Sequence, residues 1–274
     1  MQQDYRAVLQ QAWDQGCFSV PFPVSQRDLA ETARRLMAFV EATPHEIITS
    51  ITYGLRDNPH DFVGFKNSRQ VPKTVFDYAP SLNDLFPDTS AARELVEAAQ
   101  DVYDRAVREC LTPTVDILEQ RFPGCKNRLL PDRREGRIFL RIISTQQRSA
   151  QLTPGHCDNG TVSFVAYEST PAYHVGRFVD SAQPVAPAEY QAIATFGAGA
   201  EVTLSPDIPL GWHYAEARLE EGKTRQFVGF FAENYDAPAV LYRRIPTRQS
   251  EAHKNLANLL RNLHLMKEAP SPVS

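Results

Sequence analysis

From about residue 136 to residue 245 the chain consists of short apolar or alternating segments that are separated by turn residues. β-Branched and aromatic residues dominate these segments, as they do in β-strands. The segments are GRIFLRIIST, TVSFVAYE, AYHVG, YQAIATF, AEVTLS, GWHYAEA and RQFVGFFAE. Evenly spaced short strands with turns between them indicate a β-sandwich or barrel. The sequence therefore predicts an antiparallel β core at about 136–245.

Helical patterns flank the predicted core on both sides. The region of about 1–135 is helical and mixed, and in it Ser25 precedes Asp28 by three residues, as in a capping box. A later helical stretch should bend or break at Pro113. A last helix is predicted at about 248–268. With 274 residues, the whole chain is predicted to be a single domain that is mainly β with flanking helices.

Composition narrows the class of protein. The formal net charge is −4, and acidic and basic residues are interspersed, so the sequence predicts neither a nucleic-acid groove nor a membrane-binding surface. The four cysteines form no CxxC pair, which indicates free thiols in a reducing compartment. The first residues lack an apolar secretory segment, and no apolar run reaches the length of a membrane span. We expect a soluble cytoplasmic protein, monomeric or homodimeric, with a small-molecule substrate.

A histidine and an aspartate stand two positions apart where one predicted strand begins. Residues i and i+2 of a strand face the same side, so His156 and Asp158 share one side and Cys157 points away. Imidazole nitrogen and carboxylate oxygen together suit a first-row ion such as Fe(II). His213, which follows Asp158 by 55 residues on a late predicted strand, is the candidate third ligand. The three residues predict a mononuclear metal site.

A turn is the alternative interpretation of this stretch, TPGHCDNGTVSFVAYE. Pro154 and Gly155 are predicted to turn the chain before the strand begins, and the two polar residues that follow are common at such a place. His174, in AYHVG, is too close along the chain to come from a distant partner strand. It is therefore expected to be an ordinary strand residue and not a ligand.

Arg225 follows His213 by twelve residues and opens the segment RQFVGFF. A strand that turns Arg225 inward also turns Phe227, Gly229 and Phe231 inward. A guanidinium inside an apolar barrel is unfavourable unless it meets an anion. The natural anion is one carboxylate of a small dicarboxylic acid, because a guanidinium binds a carboxylate through two parallel hydrogen bonds.

The order His-x-Asp, then His, then Arg resembles that of the Fe(II)/2-oxoglutarate-dependent dioxygenases, and most of all their isopenicillin-N-synthase-like branch. The resemblance implies a double-stranded β-helix, or jelly-roll, core. It implies that His156, Asp158 and His213 bind Fe(II) as the catalytic centre and that O2 is a cosubstrate. It also implies that 2-oxoglutarate chelates the iron and that its far carboxylate pairs with Arg225. The family usually has Arg-x-Ser here, whereas this chain has Phe227 at the position of the serine.

Two further basic regions are open to two interpretations each. Arg141 is either a surface residue of an edge strand or a second cofactor-binding residue in the barrel mouth, near 2-oxoglutarate or a carboxylated substrate. The segment at 64–78 is expected to face the substrate, by analogy with the family. Its Lys66, Arg69 and Lys73 either meet an acidic group or are solvated.

The resemblance implies an oxidoreductase. The expected reaction is hydroxylation, desaturation, epoxidation or cyclisation at an unactivated C–H bond of a small molecule, such as an amino acid or a specialised metabolite. Succinate and CO2 would be released. One alternative is an Fe(II)-dependent oxidase or oxidative cyclase of the same fold that does not use 2-oxoglutarate. A further alternative is a non-catalytic jelly-roll binding module.

Overall fold

The strands form two antiparallel sheets, one of eight strands and one of four. The computed structural model describes residues 5–54, 62–67, 73–130, 137–146 and 151–233. The strands are β1 (Phe18–Pro21), β2 (Thr52–Gly54), β3 (Phe62–Asn67), β4 (Lys73–Tyr78), β5 (Ile138–Thr145), β6 (Gln151–His156), β7 (Val162–Glu168), β8 (Tyr173–Gly176), β9 (Gln183–Pro184), β10 (Gln191–Phe196), β11 (Trp212–Glu216) and β12 (Arg225–Ala232). The larger sheet has the order β1-β10-β7-β12-β5-β4-β3-β2, and the smaller has the order β6-β11-β8-β9.

From β5 onward the chain alternates between the two sheets. Strands β5, β7, β10 and β12 lie in the larger sheet, and β6, β8, β9 and β11 lie in the smaller one. This alternation is the winding of a double-stranded β-helix, so the predicted jelly-roll core is confirmed. Strands β1 to β4, from the region before residue 136, lengthen the larger sheet at both edges. The single-domain division stays a prediction, and the helix predicted at about 248–268 lies outside the described residues.

The α-helices are α1 (Tyr5–Gln15), α2 (Gln26–Ala42), α3 (His45–Ser50), α4 (Ser90–Ala106), α5 (Thr112–Glu119), α6 (Cys125–Leu129) and α7 (Gly199–Thr203). The two longest, α2 and α4, pack against the larger sheet. Ser25 caps α2 by accepting a hydrogen bond from the backbone N–H of Asp28. A π-helical turn, Val107–Leu111, separates α4 from α5 just before Pro113, because proline has no N–H to continue the regular helical pattern. No helix among the described residues is long and apolar enough to cross a membrane.

The two faces of β12 have different surroundings. Val228 and Phe230 point outward and are fully buried in the core shared with the helices. Phe227 and Phe231 point inward, toward the space between the two sheets, where they line a cavity. This is the parity that the sequence predicts for a strand with Arg225 inward. The inner face of β12 therefore belongs to the candidate site.

Two local predictions were wrong. The segment AEVTLS was predicted as a strand but contains most of helix α7. Its strand-like composition is overridden because Gly197 and Gly199 bring the backbone against the loop that follows Asp158. Pro154 and Gly155 were predicted to turn the chain, yet both lie within β6. Proline is tolerated there because β6 is an edge strand of the smaller sheet.

Candidate metal centre

Adjacent strands of the smaller sheet bring the three predicted ligands together. His156 ends β6 and lies directly opposite His213 of β11 in the antiparallel register. Asp158 follows two residues after the end of β6. Its Oδ1 is 3.5 Å from Nε2 of His156 and 3.7 Å from Nε2 of His213. One ligand atom from each of the three residues lies within 4.8 Å of the other two, which is the spacing that a single ion requires.

Backbone carbonyls orient both imidazoles for metal binding. Nδ1 of His156 lies 2.8 Å from the carbonyl oxygen of Pro154, and Nδ1 of His213 lies 3.2 Å from that of Gly211. A carbonyl oxygen only accepts hydrogen bonds, so each Nδ1 must carry the proton. Each Nε2 then has its lone pair directed at Asp158 and at the space between the ligands. This is the second contact that a metal-binding histidine ordinarily makes.

Hydrogen bonds hold the Asp158 carboxylate through the oxygen that the histidines do not approach. Ser163 donates from its hydroxyl to Oδ2, and the hydroxyl oxygen of Thr195 lies 2.9 Å from that of Ser163. Burial alone would raise the pKa of Asp158, but the two histidines and Ser163 bring it well below its usual range. Burial lowers the pKa of His213. Burial also acts to lower the pKa of His156, but its hydrogen bond to Asp158 and the charge of that carboxylate outweigh burial and raise the pKa. The Asp158 carboxylate therefore stays ionised, the form in which it would bind a metal ion.

A glycine-rich segment at residues 197–199 fixes the loop of Asp158. The backbone N–H of Ala198 donates to the carbonyl oxygen of Asp158 at 2.7 Å. A Cβ on Gly197 would come within 2.4 Å of the carbonyl oxygen of Gly160 and within 2.6 Å of that of Asp158. The chain can approach the loop of Asp158 this closely only without a side chain at Gly197.

The ligands open into a cavity between the two sheets, with about 540 Å³ of empty space. Its wall contains all three metal-ligand candidates, two arginines and a set of apolar side chains. The arginines are Arg141 and Arg225, and the apolar side chains include Ile143, Val165, Phe227 and Phe231. Cys157 is buried away from this wall, and burial raises the pKa of its thiol to about 12. The thiol is therefore protonated, which makes it a poor metal ligand.

Arg225 lies buried in the same cavity and already has an internal partner. Its Nη2 donates to Oε1 of Glu168, and the side chains of both residues are at most 4% exposed. Glu168 also accepts hydrogen bonds through Oε2 from the backbone N–H groups of Tyr173, at 3.1 Å, and Ala172, at 3.3 Å. Nε of Arg225 is buried and has no hydrogen-bond partner among the described residues. Sequence reasoning placed Arg225 correctly on the inner face but missed Glu168.

Lys73 adds an unpaired positive charge near Arg225, two strands away in the larger sheet. It lies opposite Thr145 of β5, which in turn lies opposite Arg225 of β12. Burial lowers the pKa of Lys73 first, and the positive charges of Arg141 and Arg225 lower it further. No carboxylate among the residues that the structure describes pairs with this amine. Arg69, the neighbouring basic residue of the predicted substrate-facing segment, lies outside the described residues.

Arg141 lies in the cavity wall and is held in place by a buried carboxylate. Its Nε and Nη2 donate to the two oxygens of Asp77 at 2.6 and 2.8 Å. Nζ of Lys66 lies 2.7 Å from Oδ2 of the same carboxylate. The guanidinium also lies over the ring of Phe231, 4.8 Å from its centroid. The sequence did not predict the role of Asp77, because only the pairing of β4 with β5 brings it opposite Arg141.

Comparisons with known proteins bear on the fold. No protein-family model and no curated protein sequence matches the chain. A protein of Shewanella oneidensis that was solved as a candidate oxygenase has a TM-score of 0.62 at 14% identity, over 93% of this chain and 94% of that chain. A full-length protein of Neurospora crassa, solved in complex with alpha-KG, has a TM-score of 0.61 at 11% identity, over 93% of this chain and 89% of that chain.

A solved plant enzyme is also similar in fold at low sequence identity. The dioxygenase for auxin oxidation 1 of Arabidopsis thaliana, in its 2-oxoglutarate complex, has a TM-score of 0.58 at 13% identity, over 87% of this chain and 90% of that chain. Identities this low carry information on the fold alone, and the isopenicillin-N-synthase-like branch stays a prediction. The chain has the jelly-roll fold of the Fe(II)/2-oxoglutarate-dependent oxygenases.

Proposed function

We propose that the chain is a mononuclear Fe(II) enzyme that uses 2-oxoglutarate and O2 to oxidise a small molecule. One observation carries the proposal. His156, Asp158 and His213 converge at a cavity of this fold, with both imidazoles oriented by backbone carbonyls. Two nitrogens and one carboxylate oxygen on one side of an ion are the ligand set of non-haem Fe(II) oxygenases, and they leave further positions for cosubstrates.

The buried cations support 2-oxoglutarate as the cosubstrate. Arg225, Lys73 and Glu168 together have one surplus positive charge, which suits one carboxylate of a dicarboxylic acid. Nε of Arg225 is an unused donor, and Lys73, which lies two strands away from Arg225 in the same row of the sheet, adds a positive charge. When bound, Fe(II), 2-oxoglutarate and O2 supply the oxidising power to break an unactivated C–H bond, with release of succinate and CO2.

The residues of the chain bind, orient and shield the reactants. Asp158 and the histidines hold the ion, and Ser163 holds the carboxylate in its binding orientation. Ile143, Val165, Phe227 and Phe231 line the cavity with apolar surface. Such a lining excludes water and so protects a reactive centre from side reactions.

A small molecule is the substrate class that we propose, oxidised by hydroxylation, desaturation, epoxidation or cyclisation. Two of the similar structures support a small substrate, because one is a complex of the Neurospora crassa protein with thymine and another is a dioxygenase for auxin oxidation. A biosynthetic step on an amino acid or a specialised metabolite is our preferred setting. The four free buried cysteines are in keeping with a cytoplasmic location.

Glu168 and Phe227 favour one second candidate. Because Glu168 already neutralises Arg225 and Phe227 replaces a hydroxyl, the same iron site would also suit an Fe(II)-dependent oxidase or oxidative cyclase whose substrate binds the metal without 2-oxoglutarate. The unpaired Lys73 places 2-oxoglutarate ahead of this alternative. A non-catalytic binding module is the third possibility, and it requires that the metal ligands be incidental.

Anaerobic titration separates the three. Purified protein is given Fe(II) and then 2-oxoglutarate, and the visible charge-transfer absorption of the chelate is recorded. We expect the absorption in the unaltered protein and in His45→Gln, whose histidine is exposed on α3, and its loss in His213→Ala. Iron binding without the absorption would favour the oxidase. No binding of iron by well-folded protein would favour the binding module.

A further inference from the structure

Two cations share one buried carboxylate behind the cavity wall, and one of them, Arg141, lines the cavity itself. Lys66 and Arg141 both contact Asp77, whose side chain is fully buried, whereas their own side chains are 31% and 26% exposed. Arg141 alone already satisfies both oxygens of Asp77 in a bidentate pair. Lys66 therefore adds a positive charge that this carboxylate does not need. The cluster of Lys66, Asp77 and Arg141 has one surplus positive charge.

Arg141 is rigidly presented to the cavity. One edge of its guanidinium, Nε and Nη2, is used by Asp77, and its face lies 4.8 Å from the ring centroid of Phe231 and 5.3 Å from that of Phe139. The rings of Phe139 and Phe231 stack on each other with centroids 5.1 Å apart. A guanidinium has five N–H donors in a fixed plane, so Nη1 remains for a ligand without any rearrangement of the side chain.

Other carboxylates near Arg141 are already engaged. Asp158 is the metal-ligand candidate, and Glu233 pairs with Arg137 at 3.3 Å. Under the proposed function, one carboxylate of 2-oxoglutarate binds at the metal centre. The other binds Arg225 and Lys73. The surplus charge at Arg141 and Lys66 then remains unmatched. An unmatched charge in a partly desolvated wall is unfavourable unless a ligand supplies its opposite.

We propose that Arg141 and Lys66 bind the carboxylate of the substrate, and that the substrate is a small monocarboxylic acid with an apolar body. The inference rests on the proposed function, because that function assigns both carboxylates of 2-oxoglutarate to other groups. Ile143, Val165 and Phe231, which line the same cavity, provide the surface for the apolar body. Arg141 is thus assigned to the substrate rather than to 2-oxoglutarate.

Paired acids and amides test the proposal. Protein loaded with Mn(II), with and without 2-oxoglutarate, is titrated calorimetrically with a panel of monocarboxylic acids, from short aliphatic to bicyclic aromatic, and with the primary amide of each. An acid and its amide have nearly the same shape, so their affinity ratio reports the charge. We expect at least one acid to bind about tenfold more tightly than its amide, since a charged hydrogen bond is worth more than a neutral one. A panel in which no acid exceeds its amide overturns the proposal.

Variants of the cluster locate the effect. Arg141→Gln should abolish the preference for the acid, Lys66→Gln should reduce it, and Arg141→Lys should keep most of it. Because Arg141→Gln leaves Asp77 buried without its bidentate partner, the triple variant Lys66→Gln/Asp77→Asn/Arg141→Gln provides a version with no charge left in the cluster, and it should also lack the preference. Arg93→Gln is the control, because Arg93 pairs with Asp88 on the surface. A preference that survives in the triple variant overturns the proposal.

The outcome is separable from that of the proposed function. Chelate absorption with Fe(II) and 2-oxoglutarate, together with equal binding of acids and amides, would keep the function and reject the inference. The opposite result is an acid preference that depends on Arg141 in protein that shows no chelate absorption. It would keep the inference about Arg141 and reject the proposed function.

Discussion

Arg225, which lines the cavity, forms a buried ion pair with Glu168 at the position where the proposed cosubstrate would place its far carboxylate. Glu168 is held on its other side by two backbone N–H groups. It therefore fixes one edge of the guanidinium and at the same time adds a negative charge close to an anion site. In a partly desolvated cavity, like charges a few ångströms apart repel appreciably.

Replacing Glu168 with Gln should strengthen binding of 2-oxoglutarate by about threefold to tenfold, because it removes this repulsion and keeps a hydrogen-bond acceptor for Arg225. Without ligand the variant should be less stable, by about 3 kcal/mol, because Arg225 is left buried with no counter-charge. Calorimetric titration of Mn(II)-loaded protein and thermal unfolding with and without 2-oxoglutarate measure the two effects.

Glu216→Gln provides the control for this experiment, since Glu216 is exposed at the end of β11. It should change neither the affinity nor the unfolding temperature. Weaker binding of 2-oxoglutarate to the Glu168→Gln protein would contradict the prediction. Glu168 would then act mainly to hold Arg225 in position.

Lys73 should contribute to cosubstrate binding as a charged donor. Lys73→Met is expected to weaken binding of 2-oxoglutarate by about tenfold, the usual effect of losing a hydrogen bond between charged groups. Lys73→Arg should bind about as well as the unaltered protein. Lys126→Met, which removes an exposed lysine paired with Asp116, should have no effect. Equal affinities for the Met variant and the unaltered protein would exclude Lys73 from the site.

The pH dependence of the same affinity has a defined sign. Only the protonated amine attracts a carboxylate, and burial together with Arg141 and Arg225 lowers the pKa of Lys73 below its ordinary value of 10.5. Affinity for 2-oxoglutarate should therefore fall as pH rises through this lowered pKa. The Lys73→Arg protein should keep its affinity over the same range, because a guanidinium stays protonated. Parallel titrations with the same metal cancel any effect of pH on the ion itself.

Ser163 is expected to tune the metal site without touching the ion. Ser163→Ala removes the hydrogen bond to Oδ2 of Asp158 and should weaken Mn(II) or Fe(II) binding by about tenfold. Because Ser163 helps to lower the pKa of Asp158, its loss raises that pKa. The loss of metal binding on acidification should then begin at a higher pH.

A second buried hydroxyl separates metal tuning from general stability. Thr114→Val removes a buried side-chain hydrogen bond to the carbonyl oxygen of Cys110 in the helical region. It should lower the unfolding temperature but leave the metal affinity unchanged. If Ser163→Ala binds metal as tightly as the unaltered protein, the hydrogen bond to Asp158 serves only packing.

The grouping of His156, Asp158 and His213 was predictable from sequence because it depends mainly on strand parity and on the pairing of neighbouring strands. His156 and Asp158 are close along the chain, and one antiparallel pairing, β6 with β11, brings His213 opposite His156. Arg225 was predictable for the same reason, since a strand of eight residues fixes which side chains point inward.

Glu168 was not predictable, because a β-bulge changes the parity of β7. Val228 lies opposite Tyr167, but Gly229 lies opposite Val165, so one extra residue of β7 is inserted between them. Strict alternation from Val165 would turn Glu168 away from the cavity. The bulge instead places it opposite Phe227 and beside Arg225. Such an insertion depends on tertiary packing and leaves no pattern in the segment TVSFVAYE.

Gly197 offers the last test, because it decides whether close backbone approach holds the loop of Asp158. Gly197→Ala would place a Cβ within 2.6 Å of two backbone carbonyl oxygens in that loop, and one of them is the carbonyl oxygen of Asp158 itself. We expect a loss of stability of about 1–3 kcal/mol, as for other overpacked sites, and metal binding about tenfold weaker, as when a ligand's supporting contacts are lost. Gly54→Ala is the matched control, since nothing lies within 4 Å of its added Cβ, and it should change neither quantity. Metal titration of the two variants under conditions where both are fully folded gives the comparison. Equal metal affinities in that comparison would show that the loop tolerates displacement and that Gly197 acts on stability alone.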